Sequence, residues 1–372
     1  MSGLSDIRAD CAGTFSGDGG GERNAAAERI FAGVDIGGTR IKIGLADDEG
    51  HLRSCNVLET RDCCDADNLL EIVANEIRAQ ARAVHTSIKA IGLGCPGRID
   101  FTAGKVVWLK TKLEFLEGIP LAASLGDRLG CPVSCDNDVN TILAGEMRFG
   151  AGRNYRDVIA VTVGTGIGGA VAAAAQIVRG RNWATGHFGY MSLDPCGRRH
   201  VCGNTGIIEE HASQSGILCQ VRRALDQGET SPLIESLARG DEPGLRELFE
   251  ATERGDSLAQ RLADQLIREL GVLIANLIYA LDPELVLVGG GLIVNSPAVL
   301  DAIQRAAFAR IAYLPPGVPE ILPMALGDAA GVLGGVALAI DTIAHEIGGV
   351  RRREKRRQKG DEADDNANAA LG

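Results

Sequence analysis

Asp35-Ile36-Gly37-Gly38-Thr39 and, further along, Gly164-Thr165-Gly166-Ile167-Gly168-Gly169 are the stretches on which the fold turns. Each follows a short β-rich run (residues 31–34 and 158–163) and precedes another (41–45 and 170–175). Glycine lets a backbone approach an anion closely, successive exposed N–H groups form a nest, and a threonine hydroxyl adds a donor. A single turn of this kind is more often a plain hairpin. Two in one chain, the first led by an acid carried on a strand, are the parts needed to pinch a polyphosphate from both sides. They predict a nucleotide-phosphate clamp.

Working outward, β-runs and helices alternate. Leu70, Val73, Ile77, Ala81 and Val84 share one helical face, and a strand follows over 88–94. Another strand is expected over 132–135, then a helix over 139–149. Leu258, Leu262, Leu266, Leu270, Leu273, Leu277 and Leu281 keep one face of a long helix that Pro283 stops. Residues 285–288 read as a buried strand delivered to Gly289-Gly290-Gly291, and a last amphipathic helix is expected over 329–347. Strand, strand, strand, helix, strand, helix therefore occurs twice, with an irregular insertion over 179–255. The reading is α/β with two duplicated βββαβα lobes and a cleft between them. The small N-terminal lobe spans 29–148, completed by the C-terminal helix, and the larger lobe spans 149–328. Residues 1–28 and 350–372 lack periodicity and read as disordered tails, the second a basic block followed by acids.

The chain has 372 residues, enough for two cores at 45% hydrophobic content. Its formal net charge of −11 argues against nucleic acid or an anionic membrane as a partner. No signal-peptide pattern or membrane-length apolar run stands out, so a cytoplasmic location is expected. Ten cysteines are too sparse for a disulfide scaffold, and Cys95, Cys135 and Cys219 read as small buried thiols.

Five ordered segments carry a resemblance: Asp35 to Thr39; Gly94-Cys95-Pro96-Gly97; Asp136-Asn137-Asp138-Val139-Asn140; Gly164 to Gly169; and Leu287 to Gly291. Across residues 32–347 the chain resembles the ROK family (repressor, open reading frame, kinase), whose sugar kinases have the two-lobed actin-like ATPase (ribonuclease H-like) fold. Taken by itself, Asp138 at a strand-to-helix junction reads equally as an N-cap or as a carboxylate that accepts a hydroxyl proton during phosphoryl transfer. The resemblance implies the second, with Asn137 a sugar-hydroxyl ligand. It also implies that Asp35 orients Mg²⁺, that Gly37, Gly38, Thr39, Gly164, Thr165 and Gly166 hold ATP phosphates, and that Gly289, Gly290 and Gly291 lie against adenosine. Arg40 stands where the family usually has lysine and keeps the cation.

The insertion departs from the family. Its usual pattern holds a structural zinc through one histidine and three cysteines. Here those positions read Tyr190, His200, Cys202 and Ile207, and the sugar-binding glutamate of the first element is His187. His200 and Cys202 alone cannot close a four-coordinate site, so no zinc is expected unless Cys196 and His211 are recruited. Glu209, the second sugar-contacting carboxylate, is kept.

Gly97, Arg98 and Thr111 lie on segments similar to those that N-acylmannosamine kinases place around the amide side of their sugar. A surface salt bridge from Arg98 to Asp100 is the plainer alternative. The expected activity is ATP-dependent phosphorylation of a hexose, at O6, of glucokinase type, with an N-acyl hexosamine kinase and a non-catalytic sugar-binding or regulatory protein as alternatives. ATP and Mg²⁺ are the expected cofactors, and the resemblance implies a homodimer. The residues before the first strand are too few and too unpatterned for the helix-turn-helix of the family's repressors.

Overall fold

The computed structural model describes residues 29–110, 113–200, 202–291, 293, 296–312 and 317–344. The chain divides into two units: residues up to Thr141 together with those from Gly331 onward, and Ile142–Ala330.

In the first unit β1 (Ile30–Ile36), β2 (Arg40–Asp47) and β3 (Leu52–Glu59) form an antiparallel meander. Helix α1 (Ala66–Ala83) follows, its N-terminus capped by Asp65, which accepts the Asn68 N–H. Strands β4 (Ile88–Cys95), β5 (Arg98–Asp100) and β6 (Lys105–Trp108) come next, then α2 (Leu121–Leu129) and β7 (Val133–Asn137). The main sheet has the order β3-β2-β1-β4-β7, with β4 parallel to both β1 and β7. Helix α3 (Asp138–Phe149) contains the point where the chain passes into the second unit.

The second unit repeats the plan. Strands β8 (Val158–Val163), β9 (Ile167–Ala173) and β10 (Gln176–Ile177) are antiparallel neighbours. After the insertion come α4 (Glu209–Ala212), α5 (Gln214–Asp226), α6 (Pro232–Ala238), α7 (Leu245–Glu253) and α8 (Ser257–Leu281). Strand β11 (Leu285–Gly289), α9 (Pro297–Phe308) and β12 (Glu320–Pro323) complete the sheet, in the order β10-β9-β8-β11-β12. Strands β11 and β12 are parallel to their neighbours, so both sheets share one pattern of directions. The duplication expected from the sequence is present.

Three expectations are corrected. Residues 209–253 are not irregular: they fold as four short helices whose Ile217, Val221, Leu233 and Leu248 belong to the core that α8 also enters. Their start signals are local, with Ser213 capping α5 and Ser231 capping α6. On α8 the leucine face holds from Leu258 to Leu277, but Leu281 is exposed; the helix ends at Asp282, left-handed at φ 44°, ahead of Pro283. Cys95 and Cys135 are fully buried, whereas Cys219 is only half-buried.

The last helix covers residues 330–344 in the described part of the chain; the remainder of its expected span and both tails lie outside the described residues. Among the described residues Gly327–Ala344 is one stretch long and apolar enough to cross a membrane, contrary to the sequence reading. Its residues are mostly buried because it lies on the first sheet. A side chain at Gly33 would sit 1.8 Å from the Val332 carbonyl, and one at Gly92 would sit 2.0 Å from the Gly335 carbonyl. Backbone meets backbone there, which only glycine allows.

Candidate active site

Asp35 sits in β1 between the buried Val34 and Ile36, itself half-buried, with its carboxylate against Gly331: a Cβ on that glycine would fall 2.4 Å from the Asp35 Cγ. Burial first, and then the charge of Asp138, pushes the Asp35 carboxyl up to about 6, with Lys42 pulling the other way. The turn that follows is closed by Gly37, whose N–H donates to the Arg40 carbonyl at 2.9 Å. Gly38, Thr39 and Arg40 are exposed. Buried Thr60 holds the turn from below: its Oγ1 donates to the Gly37 carbonyl at 2.8 Å and its N–H to the Thr39 carbonyl at 2.9 Å. The Arg40 guanidinium stands 3.8 Å from Glu59.

Asp138 is the first residue of α3 and shares the cap with its neighbour, its Oδ1 accepting the Val139 N–H at 3.0 Å. Asn137 Oδ1 accepts the N–H groups of Val139 at 2.9 Å and Asn140 at 3.3 Å. Asn137 Nδ2 donates to the Gly97 carbonyl at 3.0 Å, tying β7 to the loop after β4. Gly97 has φ 90°, and a Cβ there would meet the Trp108 carbonyl at 2.5 Å. Behind the cap, buried Asp136 accepts from the Asn137 N–H at 2.7 Å and from Asn140 Nδ2 at 3.0 Å. Desolvation raises the Asp138 carboxyl above the usual aspartate range, although bonds from Val139 and Asn137 oppose the shift. Arg98 opens β5 with its Nε buried and without a hydrogen-bond partner among the described residues. Its expected partner Asp100 instead accepts from the N–H groups of Thr102 and Ala103, both at 3.0 Å. Thr111 lies outside the described residues.

A second group lies in the other unit. Glu209 opens α4, and its Oε2 accepts the Ile167 N–H at 2.9 Å, directly under the Gly164-Thr165-Gly166 turn. A Cβ at Gly166 would meet that oxygen at 2.4 Å, and one at Gly189 at 2.9 Å. His187 is half-buried, with its ring centroid 6.1 Å from that of Tyr190, which in turn is 6.3 Å from His200. Ile207 is fully buried. Cys202 is exposed, and its N–H donates to His200 Nδ1 at 3.2 Å. His211 Nδ1 faces Gln265 Nε2 at 2.6 Å and Glu269 Oε1 at 3.3 Å, so its partners are on α8. Among the described residues no three His, Cys, Asp or Glu side chains are grouped to hold a metal ion, and this donor set does not fit a four-coordinate zinc.

The glycine run after β11 has packing reasons of its own. A Cβ at Gly289 would meet Met324 Sδ at 2.1 Å; Gly290, at φ 115°, would meet the Val163 carbonyl at 1.9 Å. Gly291 is exposed. Sequence reasoning missed Thr60 and the segment from Ser213 to Ser215. A threonine after a strand and two serines at a helix start carry no signal until the turns they support are in place.

A profile of the ROK family matches residues 31–342. The glucokinase of Thermotoga maritima is 29% identical, over 85% of this chain and 98% of its own. That of Streptomyces coelicolor is 31% identical over 83% and 97%. Among solved structures, a ROK family glucokinase from Streptomyces griseus, in complex with glucose and AMPPNP, superposes with a TM-score of 0.69 at 30% identity, covering 84% of this chain and 99% of that one.

Proposed function

The chain belongs to the ROK family, and from that premise we propose that it is an ATP-dependent hexose kinase of glucokinase type, transferring the γ-phosphoryl group to O6 of the sugar. The observation that carries this reading is the division of labour at the start of α3. Asn137 Oδ1 accepts the Val139 and Asn140 N–H groups and Asp138 Oδ1 shares the Val139 donor at 3.0 Å, so the cap does not depend on Asp138 alone. The Asp138 carboxylate stands at the helix N-terminus with a raised proton affinity, as suits a base that accepts the proton of a sugar hydroxyl. Asn137 Nδ2 donates to the Gly97 carbonyl, which fixes the amide next to Asp138, where it can meet a sugar hydroxyl. Glu209 spends Oε2 on Ile167 and offers Oε1 to the sugar, with His187 placed two residues before Gly189 on the same carboxylate's surroundings.

The Asp35–Gly37–Gly38–Thr39 and Gly164–Thr165–Gly166 turns hold phosphates through backbone N–H groups. Arg40 adds a cation from the rim. Gly289, Gly290 and Gly291 let adenosine approach the backbone. The site fits Mg²⁺: the half-buried Asp35 has a carboxyl lifted by desolvation and by a second carboxylate, and a divalent cation relieves both. When bound with ATP, the metal would neutralise charge on the transferred phosphoryl group.

A second reading, an N-acyl hexosamine kinase, is favoured by Arg98 alone, whose buried Nε–H has no acceptor among the described residues and could take an acyl carbonyl. The family resemblance supports a cytoplasmic homodimer. A coupled ADP-release screen with Mg-ATP over hexoses and N-acyl hexosamines tests the reading: glucose should be turned over most efficiently, and no sugar-dependent ADP release from any of them would contradict it.

A further inference from the structure

We propose that Ser215 is a positioning residue for the phosphate turn, aiming the N–H groups of Thr165 and Gly166 outward at the ATP phosphates. This rests on the kinase reading above and adds to it how the second turn is held in shape.

The geometry is that of the peptide plane. In a trans peptide the carbonyl and the N–H of the next residue point in opposite directions. Fixing the carbonyl of residue 164 therefore aims the N–H of 165, and fixing that of 165 aims the N–H of 166. Both carbonyls are fixed from one segment. The Gln214 N–H donates to the Gly164 carbonyl at 2.9 Å. Ser215 donates twice to the Thr165 carbonyl, from its N–H at 3.2 Å and from its Oγ at 2.8 Å. Just beyond the turn, Glu209 Oε2 takes the Ile167 N–H at 2.9 Å.

The holding segment is itself braced. Ser213, fully buried, donates its hydroxyl to the Glu209 carbonyl at 2.6 Å and accepts the Gly216 N–H at 3.0 Å. Among the described residues neither the Thr165 nor the Gly166 N–H donates a hydrogen bond within the protein, so both remain for an anion. The first turn is built by the same device from an unrelated residue, since Thr60 fixes the Gly37 and Thr39 carbonyls with its hydroxyl and its N–H. Two turns pinned at their carbonyls, from outside the turn, point to donors that must be oriented before phosphate arrives.

Calorimetry of Mg-AMPPNP binding, without sugar, tests this on wild type, Ser215→Ala and Ser215→Thr. Ser215→Ala keeps the backbone donor and loses the hydroxyl, so its Kd should rise about fivefold, the worth of one neutral hydrogen bond. Ser215→Thr should restore wild-type affinity, and the ligand-free melting temperatures of the three should lie within a few degrees of one another. In turnover, the ATP KM of Ser215→Ala should rise while its glucose KM stays within about twofold of wild type, a split that general loosening of the fold would not give. Wild-type affinity in Ser215→Ala, or no rescue by Ser215→Thr, would overturn the proposal. A wild type that binds no AMPPNP would overturn the kinase reading, and this proposal with it.

Discussion

Asp35 and Asp138 are electrostatically coupled carboxylates, and the charge of Asp138 adds to burial in lifting the Asp35 carboxyl to about 6. A carboxyl ordinarily near 3.8 thus binds its proton more tightly in the folded chain than in the unfolded one. Its contribution to stability is fully present below about pH 4 and is lost as the pH rises through about 6.

Asp35→Asn should therefore stabilise the apoprotein at pH 7, by an amount on the order of 2–3 kcal/mol, and leave it unchanged near pH 4. Urea midpoints at the two pH values measure this. Equal midpoints for wild type and variant at pH 7 would show that the carboxylate carries no burial penalty. On the proposed kinase reading the same variant should also lose most phosphoryl transfer, because the charge proposed to orient the metal is gone.

Metal content is the second prediction. Ile207 is buried and the Tyr190 and His200 rings lie with centroids 6.3 Å apart, at positions where the family pattern has zinc ligands. Elemental analysis of tag-free protein should give well under one zinc per chain. About one tightly held zinc, lost on Cys202→Ala, would contradict this.

Arg98 separates the two sugar readings. An unpaired buried donor costs ~1–3 kcal/mol, or roughly tenfold to a hundredfold in discrimination. For a glucokinase, glucose should be the better wild-type substrate, and Arg98→Ala should change kcat/KM for glucose and N-acetylmannosamine alike. A loss of tenfold or more confined to the N-acyl sugar would move the assignment to an N-acyl hexosamine kinase.

Much of the fold was legible because its signals are local. The apolar runs of β1, β8 and β11 and the leucine periodicity of α8 depend on neighbours in sequence. The insertion helices were missed because each is short, and their caps at Ser213 and Ser231 are single residues among many serines. The membrane-length stretch at Gly327–Ala344 looks unremarkable until its helix is seen lying backbone to backbone on Gly33 and Gly92. At the site, the motif located Asp138 but left its cap role open. The bonds that Asn137 Oδ1 accepts from Val139 and Asn140, with the one that Asp138 Oδ1 accepts from Val139, show that the two residues share the cap. Thr60 and Ser215 act on turns distant in sequence, and no local pattern announces that.

The base itself offers the most direct test. Asp138→Asn is nearly isosteric and leaves the Asn137 cap in place, but it removes the proton acceptor, typically worth ~10²–10⁴ in rate. Measured side by side with wild type, the variant should bind AMPPNP and glucose with nearly unchanged affinity while kcat for glucose falls by at least about a hundredfold. A variant that kept most of its kcat would remove Asp138 from the chemistry and contradict the account.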